Sequence, residues 1–190
     1  MQLNEVIDNL TNWVQLNLCD DVELLKPSKS NMSNDYSIVK PKAFALYVPP
    51  QDQLPPDIDY QIPSICLQLK EGSDNLTNDV RSLDFRLAFS TYRPGHFVES
   101  EKENGDKEIA FVRDADGWED LWLWVSRSVN KIQTKMYIEG VRVDRNTPVK
   151  FGHFQIDDNM VEAYPMWYAW VEFSVTCGIS SKANEYNNYL

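Results

Sequence analysis

Apolar side chains recur every third or fourth position from Leu3 to Leu18 (Leu3, Val6, Ile7, Leu10, Trp13, Val14, Leu18), with Asn4, Glu5, Asp8, Asn12 and Gln15 between them. That period predicts an amphipathic helix laying one stripe on a core. A second helical period runs through Trp118, Leu121, Trp122, Val125, Val129 and Ile132. It is opened by Asp116 three residues before Glu119, the acidic form of a capping box. Trp124 falls off this stripe. The period is two in "IPSICLQLKEG", where Ile65, Leu67 and Leu69 alternate with Ser64, Gln68 and Lys70. The same holds in "SLDFRLAFSTY", where Leu83, Phe85, Leu87 and Phe89 alternate with Asp84, Arg86 and Ser90. Both read as strands with one solvated face. "AFALYV", Ala43 to Val48, reads as one short strand stopped by Pro49 and Pro50. "MYIEGVRV" and "VKFGHFQI" precede a long last strand. In that strand Trp167, Ala169, Val171, Phe173, Val175 and Cys177 form an apolar face. The opposite face is mixed: Tyr164, Met166, Tyr168 and Trp170 at one end, Glu172, Ser174 and Thr176 at the other.

Two stretches interrupt these patterns. Residues 20–63 hold seven of the ten prolines and the aperiodic run "KPSKSNMSND", which predicts mostly extended loop. Residues 97–111 centre on Asn104-Gly105, a strong hairpin signal, between arms carrying Glu99, Glu101, Glu103 and Glu108. Such arms are too polar for a core and suit either a projecting charged hairpin or a mobile loop. The order helix, strands, helix, strands predicts a single α+β domain over 1–190. Its sheet is expected to be mixed but mostly antiparallel, with two main helices packed on one face.

A length of 190 residues is enough to bury a self-sufficient core. Three cysteines, Cys19, Cys66 and Cys177, lack any CxxC spacing and sit in apolar patterns, as reduced core thiols of a cytosolic protein do. No stretch approaches the roughly 18 apolar residues of a membrane span, and "MQLNEVIDNL" has no signal-peptide pattern, so neither membrane insertion nor export is expected. A net charge of −11 works against tight phosphate binding, and high-affinity nucleic-acid recognition is not expected.

Reaction chemistry is sparse. His96 and His153 stand in "PGHF" and "GHF" without an acidic or cysteine partner at metal-ligand spacing. "DADGWED" has its glycine at the fourth position, where a calcium loop needs it at the sixth, and helix capping already accounts for its acids. Nucleophile-elbow, phosphate-loop and dinucleotide-binding motifs do not occur. The expectation is a protein that is not an enzyme and that uses no cofactor or metal. Trp13, Trp118, Trp122 and Trp167 fit core stripes; Tyr164, Met166, Tyr168, Trp170 and Trp124 do not. Tyr, Trp and Met are enriched at the centres of protein–protein contacts, so these five residues are candidate interface positions. The alternative is that the last strand is central and covered on both faces by its own chain.

The order of elements resembles that of the tail terminator proteins of long-tailed bacteriophages, the family of the lambda minor tail protein U. The similarity is carried by "LNEVIDNLTNWVQLNL", by "KAFALYVPP" leading through prolines into "YQIPSICLQLKEGSD", and by "DFRLAFSTYRPG", "DGWEDLWLWVSRSV" and "YPMWYAWVEFSV". It covers most of the chain. The resemblance implies a subunit of a hexameric ring that caps the tail tube, touching tail-tube protein on one side and the head connector on the other. DNA would pass through the bore without tight binding, and the protein would be found in the virion neck after assembly in the host cytoplasm. Another neck protein of similar build and a carbohydrate-binding module with exposed aromatic rings are the alternative readings.

Overall fold

The computed structural model describes residues 1–27, 36–101, 107–113, 116–156, 159–160 and 164–179. Helix α1 (Leu3–Val14) begins where the Gln2 backbone N–H donates to Glu5 Oε2 at 2.8 Å. It passes without a break into a π-helical turn, Gln15–Cys19, which keeps Leu18 and Cys19 buried. Strands β1 (Leu24–Pro27) and β2 (Tyr36–Val39) pair antiparallel, so residues 20–63 are not all loop. Strand β3 (Lys42–Ala45) stops before Val48 because Leu46 takes a φ of 66° and the Tyr47 N–H turns back to Ala45 O at 2.8 Å.

Strands β4 (Ser64–Asn75) and β5 (Val80–Tyr92) form a long hairpin, and β13 (Met166–Gly178) pairs along the whole of β5. Between them in sequence come β6 (His96–Glu101), β7 (Lys107–Val112) and helix α2 (Gly117–Thr134). After the helix follow β8 (Tyr137–Ile138), β9 (Val141–Val143), β10 (Lys150–His153), β11 (Gln155–Ile156) and β12 (Asn159–Met160). The main sheet runs β3-β4-β5-β13-β9-β8, with β10 also on β13; β3 is parallel to β4 and the other pairings are antiparallel. This is the mixed, mostly antiparallel α+β sheet that the periodicities predict. Both helices lie on one face and close a single core of Val6, Leu10 and Trp13 from α1, Leu121, Val125 and Ile132 from α2, and Phe85, Leu87, Val171 and Phe173 from the sheet.

The tryptophans of α2 overturn part of the sequence reading. Trp124 is 2% exposed, with its ring edge-on to Phe89 at 5.1 Å and its indole N–H donating to Leu18 O at 2.6 Å. It is a core residue and not an interface candidate. Trp118 is 47% exposed, and Trp122 sits at the margin of the core. The buried stripe passes through Leu121, Trp124, Val125, Ser128, Val129 and Ile132, one position round from the expected one. Ser128 lies on that stripe because its hydroxyl donates to Trp124 O at 2.9 Å and so enters the core already paired. Asp116 makes no side-chain cap, and the first turn closes through Glu119 N–H to Asp116 O at 2.9 Å.

Candidate interaction surface

The sheet face away from the helices is built from cross-strand rows set by register. Ser64, Ser90 and Tyr168 form one row; Cys66, Ala88, Trp170 and Gly152 the next; Gln68, Arg86, Glu172 and Lys150 the third. In the first two rows β4 and β5 contribute only small side chains. Segments 46–48 and 61–62 rise on one side of them, and Phe154, Gln155 and Tyr168 on the other. The result is a trough of about 680 Å3, within the roughly 300–1,000 Å3 range of ligand pockets. Its walls are mainly apolar and aromatic, and Tyr47 stands 63% exposed on the rim. On its floor the Ser64 and Ser90 hydroxyls pair with each other at 2.9 Å, so they do not need water. Burial pushes the Cys66 thiol up to about 11, which keeps it protonated and unreactive there.

The third row is charged. Glu172 Oε1 accepts from Arg86 Nε at 2.9 Å and Nη2 at 2.7 Å, and from Lys70 Nζ at 2.7 Å. Burial alone would raise the Glu172 carboxyl, but these bonds outweigh it and hold the group below its usual range. One row further, the Ser174 hydroxyl donates to Asp84. The outer face is therefore apolar at one end and ionic at the other, as the even positions of the last strand indicate.

The expected interface residues distribute unevenly over this face. Tyr168 is half-buried and lines the trough; its hydroxyl lies 3.3 Å from Met166 Sδ, and burial raises its phenol above the usual value. Tyr164 is exposed, with its hydroxyl donating to Pro94 O. Trp170 is largely engaged within the chain: its N–H donates to His153 O at 2.8 Å, and Arg86 lies 5.7 Å from its ring. A Cβ on Gly152 would stand 3.0 Å from the indole, so the ring packs directly on the glycine and would have to shift by a few tenths of an ångström to admit a side chain. On the helix side, the Trp122 N–H donates to His153 Nε2 at 3.2 Å, so His153 ties an indole on each face of the sheet. The covering of the last strand by its own chain is thus real at Trp170 and partial at Tyr168. Sequence reasoning missed Tyr47, Leu46 and Phe154. The available signal was the run of small residues at Ser64, Cys66, Ala88 and Ser90, positions where an ordinary solvated face carries long polar side chains.

The second exposed feature is the hairpin of β6 and β7, paired from His96↔Val112 to Glu101↔Lys107. Glu99 is exposed on β6, and Glu101 and Glu108 occupy strand positions. Glu103, Asn104 and Gly105 lie outside the described residues. By strand alternation Phe97, Phe111 and Ile109 share one face; the two rings meet edge-on at 5.1 Å, and Ile109 is 71% exposed. These arms are less polar than their charge pattern implies. Gly95 makes the pivot at the base: its φ is 139°, and a Cβ there would stand 2.1 Å from Val112 O.

Among the described residues no group of three or more His, Cys, Asp or Glu side chains gathers as a metal site. No family model, curated protein or solved structure matches the chain.

Proposed function

We propose that the protein is a structural subunit of the tail terminator type, which caps a phage tail tube as an oligomeric ring and forms the tail side of the head–tail joint. The observation carrying this reading is a sheet sealed by helices on one face that keeps an open apolar trough on the other, in a chain that also exposes apolar side chains on the β6–β7 hairpin. Large apolar surface left open on a soluble subunit marks a contact site. A net charge of −11 suits a ring whose bore must let DNA slide without gripping it. A sugar-binding role is less well served, because Trp170, the largest ring on the outer face, already lies against Gly152 and Arg86.

The test uses tubes polymerised from the tail-tube protein encoded in the same gene cluster. Added to growing tubes, the protein should arrest elongation and leave a ring at one end in electron micrographs. Tubes that keep growing at saturating protein would exclude terminator activity.

A further inference from the structure

We infer that the neutral imidazole of His153 is a pH-dependent latch: it ties the end of β10, and with it the Phe154–Gln155 wall of the trough, to α2, and protonation releases it. Strand β10 pairs with β13 only as far as His153↔Ala169. The two residues that follow, Phe154 and Gln155, line the trough beyond the last of those pairs. His153 is thus the point at which the wall leaves the ladder. Its backbone oxygen accepts the Trp170 N–H on the outer face. Its ring turns to the helix side, where Nε2 accepts the Trp122 N–H at 3.2 Å and the two rings meet edge-on at 4.8 Å. The latch concerns the wall whatever seats in the trough, and it does not rest on the terminator reading.

The chemistry of the second bond makes it conditional. An indole N–H only donates, and an imidazole nitrogen accepts only while it carries no proton. The bond therefore fixes the neutral tautomer with its proton on Nδ1, and a proton added at Nε2 sets two donors against each other. Imidazole is the side chain that ordinarily changes charge between about pH 5 and 8. The Trp170 bond ends on a backbone carbonyl and does not titrate, so release is confined to the helix side.

The groups around the ring do little to offset the new charge. On that face β13 presents Ala169 and Val171, both buried, and by register Lys150 and Glu172 lie on the opposite face. Strand β10 itself adds Phe151, whose ring lies 6.2 Å from that of Trp122. On α2, Asp120 is bonded to Arg93, and Glu119, one turn before Trp122, is exposed. Among the described residues no carboxylate bonds the imidazole, so the cost of protonation falls on the bond to Trp122.

Solvent-exchange NMR over that pH range tests the latch. The imidazole nitrogen shifts of His153 report its charge, and the protection of each proton is taken relative to its intrinsic rate at the same pH. As His153 gains its proton, protection of the Trp122 indole N–H should fall about fivefold, the worth of one hydrogen bond. The Phe154 and Gln155 amides should follow with the same midpoint. The Trp124 N–H, bonded to Leu18 O, should stay constant. His153→Gln supplies an amide oxygen that does not titrate and should abolish the step, whereas His96→Gln should leave it. If His153→Gln does not fold, Trp122→Phe removes the donor while keeping a ring, and the amides of 154 and 155 should then show no step. Trp122 protection that ignores the charge of His153, a step that survives His153→Gln or Trp122→Phe, or one that never reaches Phe154 and Gln155 would each overturn the inference.

Discussion

Trp124 carries a polar N–H into a position where a purely apolar side chain would need no partner, and the π-helical turn after α1 supplies the acceptor at Leu18 O. Trp124→Ala should therefore cost about 3–5 kcal/mol in a urea titration, through lost burial and a cavity. Trp118→Ala, an exposed change, should stay within about 0.5 kcal/mol. Equal effects at both sites would mean that the stripe is misplaced. Glu172 belongs to the same scale. Its folded carboxyl is held below its usual value, so the stability it adds is full above pH 4.5 and drains as pH falls through the lower folded value. Glu172→Gln should leave a shallower acid limb in stability against pH, and an unchanged limb would show that the ion cluster does not matter. These residues also show where sequence reading stops. A buried serine such as Ser128 satisfies itself on its own helix, so the polar pattern rotates the apparent stripe away from Trp124 and toward Trp118.

Strands β4, β5 and β13 were legible because strict alternation fixes which side chains face the core. The β1–β2 pair was not, since prolines and polar runs hide its ladder. The trough was not legible either, because it forms only when segments distant in sequence come together, although its small floor residues carried a trace. At the sheet edge, Gln15 does the work of an absent strand: its Oε1 accepts from Ala43 N–H at 2.8 Å while its Nε2 donates to Pro41 O at 3.3 Å. The hairpin of β6 and β7 depends on one pivot. Gly95→Ala combines an unfavourable φ with a clash at Val112 O, so it should release that hairpin and leave the sheet intact. Hydrogen exchange would then quicken in β6 and β7 and stay slow in β5 and β13. Faster exchange throughout would instead make the pivot part of the core.

At the scale of the whole molecule, one core joins both helices to the sheet, which is why element order and period alone gave the α+β class. What covers the outer face does not follow from period, because period fixes only which side chains turn away from the core. The two ends of the described chain share a corner: the Met1 amino group donates to Gly178 O at 3.2 Å, and the Ile179 N–H donates to Asp79 O at 3.0 Å. Tyr168 lies ten residues back along β13, about 33 Å away at roughly 3.3 Å per residue. The order in which the segments are synthesised is therefore separable from the architecture they build. A circular permutant that bridges Ile179 to Met1 with a short flexible linker, and reopens at the exposed turn near Asn146, should fold to the same far-ultraviolet spectrum with its trough undisturbed. If it collapses, the connection order around Met1 and the end of β13 is part of how the fold is reached, and the corner where they meet is more than a convenience of packing.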